Sequence, residues 1–264
     1  MATSNRRAAP RLARVVRSAR LSPNLLRITF GGEAMADYPD GRASANLKLL
    51  LPNEGQDEAS YLASLAGEGP RPVKRTYTVL DYRADVGELD IDFALHDGPG
   101  PATRWALTAR PGQRIGITEP GGTKLVDPAA EWFLLAGDMS ALPAIEANLR
   151  LLPGDATGHV VIEIIDDADR RTLTAPAGMV FRWLVDPRPG TGESALADAV
   201  RALPWQAGTP SVWIAGETGA VRELRRWLIE ERRLESAQRY TSGYWQRGHD
   251  EDSHQQVKRA EPMD

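Results

Sequence analysis

The sequence predicts two domains of different class: an N-terminal antiparallel β-barrel and a C-terminal α/β domain built on a parallel sheet. Three observations predict it. Up to about residue 126 the chain reads as short strands split by turn residues, at the spacing of all-β barrels. From residue 127 onward apolar strands alternate with helical periodicity, which implies a parallel sheet covered on both faces. The change of pattern falls in the Pro/Gly-marked stretch Glu119 to Pro128, so the expected domains are 1–126 and 127–264. A chain of 264 residues has room for both.

In the first half, "ARVVRSARLSPNLLRITFGG" reads as a strand, a Ser22-Pro23-Asn24 turn and a second strand. "NLKLLLP", "KRTYTVLDYR", "ELDIDFALHD" and "QRIGITEP" continue the series. Leu89, Ile91, Phe93 and Leu95 share one face of "ELDIDFALHD", and Asp90, Asp92, Ala94 and His96 share the other, the pattern of a half-buried strand. One helix is expected around "GPATRWALTAR". The polar "PNEGQDEASYLASLAGEGPRP" reads as an exposed insertion. In the second half, "WFLLAG", "HVVIEIID", "MVFRWLVD" and "SVWIAGE" are strands. "ALPAIEANLRLLP", "ESALADAVRALP" and "GAVRELRRWLIEERRL" are helices, the first with Leu142, Ile145, Leu149 and Leu152 on one side. The tail "HDEDSHQQVKRAEPMD" is polar and reads as frayed or as a loosely held helix.

Composition excludes several chemistries. There is no cysteine, hence no disulfide, cysteine-held iron–sulfur cluster or thiol nucleophile. Four scattered histidines form no HExxH-like pair, so no protein-held catalytic metal is expected. A net charge of −4 argues against a nucleic-acid partner. No apolar run reaches the length of a membrane span. The basic start lacks the apolar core of a secretory signal, so a cytoplasmic location is expected.

Five stretches carry chemistry. "RTYTVL" sets Arg75, Tyr77 and Val79 on one strand face and Thr76, Thr78 and Leu80 on the other. A plain barrel strand would put apolar residues on its buried face; this one offers a cation, a phenol and two hydroxyls. "HDGPGPATRWA" follows a strand and opens a helix with Pro101 at the first helical position. The N–H groups of Ala102, Thr103 and Arg104 suit a phosphate, and the same features also fit an ordinary helix start. "LLAGDMSALP" and "WIAGETGAV" put Gly137, Asp138, Gly216 and Glu217 at the carboxyl edge of the sheet, where such folds bind ligands. They serve a nucleotide or simply make tight strand exits. "GYWQRG" offers Tyr244 and Trp245 for stacking on a planar cofactor, or as anchors of a terminal strand. Lys48 stands alone among apolar residues, as a sheet-edge lysine or as a charge for a ligand.

Taken in order and spacing, "NLKLLLP", "RTYTVLDYR", "ELDIDFALHDGPGPATRWA", "PGQRIGITEPGG", "LLAGDMSALPAIEANLRLLP", "WIAGETGAVRELRRWLIEERR" and "GYWQRG" resemble the siderophore-interacting protein family. These are flavin-dependent ferric-siderophore reductases of the ferredoxin–NADP reductase-like superfamily. The resemblance runs from about Arg14 to Gly248. It implies an FAD-binding barrel and a nicotinamide-nucleotide domain. It implies that Arg75 pairs with flavin phosphate, Tyr77 packs on the isoalloxazine and Thr78 bonds near its reactive edge. Pro101, Ala102 and Thr103 would cradle the pyrophosphate, with His96 beside the nucleotide part. Many members carry a second arginine where this chain has Leu80.

The implied reaction takes electrons from NADPH or NADH through FAD to a ferric siderophore. Reduction releases iron because hard oxygen ligands hold Fe(III) better than Fe(II). The cofactor carries the chemistry, so no catalytic side chain is expected. Asp166 and Asp167 favour a ribose hydroxyl and Arg170 and Arg171 a 2′-phosphate, so the choice of nicotinamide stays open. Lys48, Lys124 and Arg247 are the expected basic patch for an anionic chelate. The alternatives are a non-enzymatic siderophore or flavin carrier, and a flavin reductase serving a ferredoxin.

Overall fold

The computed structural model describes residues 9–96, 98, 100–189 and 194–249. The basic start at residues 1–8, Asp97 and Pro99 of the "HDGPG" turn, and the tail from residue 250 lie outside the described residues. The chain divides into two compact units. One comprises the chain up to Arg20 with Leu26–Thr123; the other comprises Leu21–Leu25 with the chain from Lys124.

The first unit is a seven-stranded sheet of β1 (Arg11–Ser22), β2 (Leu25–Gly31), β3 (Asn46–Leu51), β4 (Val73–Thr78), β5 (Asp81–Arg83), β6 (Glu88–Ala94) and β7 (Arg114–Ile117). Its order is β4-β3-β7-β1-β2-β6-β5. β1–β7, β3–β4, β3–β7 and β5–β6 pair antiparallel. The single run expected over "KRTYTVLDYR" is two strands because the chain changes partner within it. Val79 bonds Ala45 and Ser44, and the Leu80 N–H then bonds the Asp90 carbonyl. β4 and β5 are therefore the two outer strands of the sheet, joined directly in sequence, so the chain passes from one edge of the half-barrel straight to the other. Leu47, Leu49, Ile91, Phe93 and Val79 fill the interior.

Two expectations are corrected here. The polar face of β6 is buried rather than solvated. Asp92 takes a two-pronged contact from Arg27 at 2.6 and 2.9 Å, and Asp90 takes Arg83 and the Thr29 hydroxyl. Long arginines cover that face and pair its acids. The "exposed insertion" contains helix α1 (Glu58–Leu65), capped by Asp57 on the Ser60 N–H. It is anchored by buried Tyr61, whose hydroxyl donates to the Leu50 carbonyl and accepts from the Gly116 N–H. Helix α2 (Pro101–Thr108) lies against β3 and β6.

The second unit is a five-stranded parallel sheet, order β10-β9-β8-β11-β12. Its strands are β8 (Trp132–Asp138), β9 (Thr157–Ile164), β10 (Gly178–Val185), β11 (Pro210–Glu217) and β12 (Arg239–Trp245). Helices α3 (Leu142–Leu151), α4 (Ala195–Arg201) and α5 (Thr218–Glu230) connect them. α5 buries Val221, Leu224, Trp227 and Leu228, which share one face at helical spacing. The strand order reverses between β8 and β11, the switch point at which ligands bind in open α/β sheets. The β1–β2 turn groups with this unit. Buried Asp169 accepts there from the Ser22 hydroxyl (2.6 Å) and from the backbone and side-chain N–H groups of Asn24 (2.8 Å each).

Candidate functional site

In the first unit the candidate groups gather around β4. Cross-strand pairing matches Leu47 with Tyr77 and Leu49 with Arg75, so Arg75, Tyr77 and Val79 share the inward-directed face. Tyr77 packs on Phe93, with ring centroids 4.4 Å apart. Phe93 in turn meets Trp105 of α2 at 6.3 Å. This aromatic chain ties the "RTYT" strand to the start of α2. Arg75 is half-buried, and one guanidinium N–H donates to the Lys74 carbonyl at 2.7 Å. Thr78 is buried. His96 is exposed just beyond β6. Leu80 is only 1% exposed, so where many members carry an arginine this chain packs an apolar side chain.

Helix α2 opens from Gly100 with no side-chain cap and no acid in its first turn. The Arg104 N–H is taken by the Gly100 carbonyl at 3.0 Å, the first bond of the helix. Pro101 has no N–H, so the donors of this terminus are those of Ala102 and Thr103 alone, one fewer than the sequence implied. An uncapped terminus with two convergent donors and no competing carboxylate fits a phosphate group. These residues therefore fit an FAD pyrophosphate.

Lys48 pairs across the strands with Thr76, and its ammonium donates to the Thr76 hydroxyl. Lys48 thus lies on the sheet face opposite Arg75 and Tyr77. A cavity of about 670 Å³ on β1 and β7, lined by Leu12, Arg14, Gly32, Glu33, Ala34 and Arg114, includes none of the residues singled out by sequence.

In the second unit, Gly137, Asp138, Gly216 and Glu217 do meet at the switch point, but they bind one another. Asp138 Oδ1 accepts from the Ser140 N–H and hydroxyl at 2.9 and 2.5 Å. Its Oδ2 accepts from the Glu217 N–H at 2.8 Å and the Trp245 indole at 2.7 Å. Gly216 has φ +145°, and a Cβ there would lie 2.6 Å from Asp138 Oδ2, so only glycine lets the carboxylate cross β11. A Cβ on Gly137 would lie 2.4 Å from the Ala215 carbonyl. Glu217 caps α5, its Oε2 accepting from the Gly219 and Ala220 N–H groups at 2.5 and 3.1 Å. A carboxylate therefore already occupies that helix terminus.

Tyr244 and Trp245 diverge. Tyr244 meets buried Trp213 edge-on at 6.3 Å, while Trp245 reaches Asp138. A register shift at Gly216/Glu217 makes Tyr244 the extra residue of a bulge. Arg247 is exposed, with its guanidinium on the Pro189 carbonyl at 3.3 Å. Lys124 lies elsewhere: its ammonium sits 6.0 Å from the ring of Tyr240, five positions before Trp245, or roughly 16 Å along the strand. Asp167 is paired with Arg170 at 2.6 Å and Arg171 with Glu146 at 3.0 Å, while Asp166 caps a short 3₁₀ turn.

Glu163 went unremarked in the sequence. It stands beside Asp138 in the β8–β9 register. Burial, and then the Asp138 and Asp186 carboxylates, push its carboxyl up to about 7, against one bond from the Leu196 N–H. A lone acid inside the apolar "HVVIEI" is the signal that marks it. Burial likewise pushes the Asp138 carboxyl up, opposed by its four donors.

Comparison with known proteins follows the same division. The model of the siderophore-interacting FAD-binding domain matches residues 14–124, and that of the siderophore-interacting protein matches residues 130–248. The chain is 36% identical over 267 residues to the ferric vibriobactin reductase of Vibrio cholerae, covering 98% of this chain and 97% of that one. It is 30% identical over 241 residues to the NADPH-dependent ferric-chelate reductase of Escherichia coli, covering 88% and 91%. The crystal structure of a siderophore-interacting protein from Aeromonas hydrophila superposes with a TM-score of 0.82 at 33% identity, covering 96% and 97%.

Proposed function

Because the chain belongs to the siderophore-interacting protein family, we infer that it is a flavin-dependent ferric-siderophore reductase that takes electrons from NAD(P)H. The observation that carries this reading is the succession of the family's FAD-binding part and its second part in one chain, at residues 14–124 and 130–248. FAD bound to the barrel supplies two-electron uptake from a nicotinamide and one-electron release to Fe(III).

The chain's own residues bind and orient. Arg75 supplies a cation for the flavin phosphates, and the Ala102 and Thr103 N–H groups hold the pyrophosphate. Tyr77, backed by Phe93, offers a ring face to the isoalloxazine; Thr78 and His96 complete the flavin contacts. The boundary of this FAD-binding domain is set near residue 126, with the nicotinamide domain beyond it. There, Gly137, Asp138, Gly216 and Glu217 shape the carboxyl edge that receives NAD(P)H, with Tyr244 and Trp245 on its terminal strand. Lys48, Lys124 and Arg247 are the cations available to an anionic chelate. A small ferric chelate, not a ferredoxin, is the acceptor in this reading, and the cytoplasm is its setting. Among the described residues no helix is long and apolar enough to cross a membrane.

The test is direct. Purified protein should be yellow or become so with FAD, and should oxidise NADH or NADPH when a ferric chelate is added. Colourless protein that gains no flavin would leave the carrier reading in its place.

A further inference from the structure

Asp138 ends β8 with its side chain buried, yet every one of its described hydrogen-bond partners is neutral. A buried carboxylate without a cation is costly unless its oxygens are saturated by donors. Here three N–H groups and one hydroxyl converge on it. N–H groups only donate, so they require an acceptor at three of these four positions. Asparagine would turn one oxygen into an NH₂ that faces donors, either at Ser140 or at Glu217 and Trp245. The chemistry of the position therefore calls for aspartate itself.

The geometry also says what the carboxylate is for. It gathers the ends of three strands, β8, β11 and β12, across the topological switch point. Gly216 clears its path, and the register shift opposite Gly216 and Glu217 brings Trp245, rather than Tyr244, level with Glu217. The Trp245 carbonyl is fixed separately, accepting from the Thr218 hydroxyl at 2.8 Å. Backbone and indole are thus anchored by different groups, and the indole orientation is set by Asp138.

We propose that Asp138 is a positioning residue, which acts on the nicotinamide nucleotide by holding the Trp245 indole at the carboxyl edge of the sheet rather than by touching the nucleotide. This rests on the reading that this edge receives NAD(P)H. With its oxygens occupied by Ser140, Glu217 and Trp245, Asp138 has no acceptor position left for a ribose or an amide. Released from Asp138, the indole can turn about its side-chain bonds and enter or leave the space in which a nicotinamide ring docks.

The experiment compares Asp138→Asn, Trp245→Phe and the double variant. The first readout needs no cofactor: the indole N–H proton resonance of Trp245, identified by its loss in Trp245→Phe. It should shift or broaden in Asp138→Asn while the other indole signals stay in place. The second readout is the rate of flavin reduction by NAD(P)H in single turnover. It should change about tenfold in Asp138→Asn, the size of one lost charge-assisted bond, with flavin content unchanged. It should change by a similar factor in Trp245→Phe, and Asp138→Asn should add nothing in the Trp245→Phe background. Independent, multiplying effects would overturn the proposal, because Asp138 would then act other than through the indole. If Asp138→Asn does not fold, Trp245→Phe carries the test, and native reduction by that variant overturns the proposal. Parent protein that holds FAD but is not reduced by NAD(P)H would instead overturn the functional reading on which it rests.

Discussion

Tyr77 and Phe93 lie with ring centroids 4.4 Å apart and planes inclined at 43°. Phe93 also meets Trp105, which holds α2 against the barrel. One ring thus sets the strand that carries Arg75 and the helix whose start offers the Ala102 and Thr103 donors. The two halves of the proposed flavin site share one packed aromatic neighbour.

Tyr77→Ala removes an aromatic pair worth about 0.5–1.5 kcal/mol beyond its buried area. The expected outcome is a changed flavin absorbance or fluorescence in a folded protein. A native flavin spectrum with only a lowered melting temperature would assign Tyr77 to the core.

In the proposed site, Arg75→Ala would remove one charge-assisted contact to phosphate, on the order of 1.5–3 kcal/mol. Flavin retained after dialysis should drop sharply while circular dichroism stays native. Undiminished retention would take Arg75 out of the site.

Leu80→Arg restores the residue that many family members carry. Here the position is buried, with Leu80 only 1% exposed. An uncompensated charge at such a site costs about 3–5 kcal/mol. The urea midpoint should fall accordingly; a native midpoint would mean that the barrel accommodates the arginine.

Burial, and then the neighbouring Asp138 carboxylate, push the Glu163 carboxyl from its ordinary 4.5 up to about 7 in the folded state. Between those values the folded state holds the proton more tightly, so stability declines as pH rises from about 4.5 to about 7. The penalty is complete above that window and absent below it. Glu163→Gln keeps an acceptor for the Leu196 N–H and removes the charge. It should exceed the parent in stability by on the order of 3 kcal/mol at pH 8 and match it at pH 4. Parallel stability–pH curves for the two proteins would disprove this.

Salt dependence addresses the substrate. Turnover of an anionic ferric chelate should weaken as ionic strength rises, since exposed charges are screened beyond about 8–10 Å near physiological salt. The Lys48→Ala, Arg247→Ala double variant should lose most of that dependence and raise KM for the chelate, with nicotinamide-driven flavin reduction intact. Native chelate kinetics at low salt would remove both residues from the substrate site.

The two-domain class and nearly every strand and helix were legible in the sequence, because periodicity of two or 3.6 residues is a local property of the chain. So was the grouping of Arg75, Tyr77 and Val79, which strand alternation alone decides. What the sequence left open was which partner each group would choose. Asp138 and Trp245 are 107 residues apart, and nothing local says that a carboxylate will cross Gly216 to an indole. Glu217 reads as a nucleotide contact or as part of a tight strand exit until α5 is seen to start upon it. Asp90 and Asp92 look solvated until Arg27 and Arg83 arrive from other strands. In the sequence Lys48 and Lys124 read only as cations, and no local pattern says what will hold either. Register turns the first to Thr76 on the face away from Tyr77, and packing sets the second over Tyr240. Local pattern determined the elements and their faces; tertiary structure decided the pairings, because a polar group is satisfied by whichever donor or acceptor the fold brings within about 3 Å.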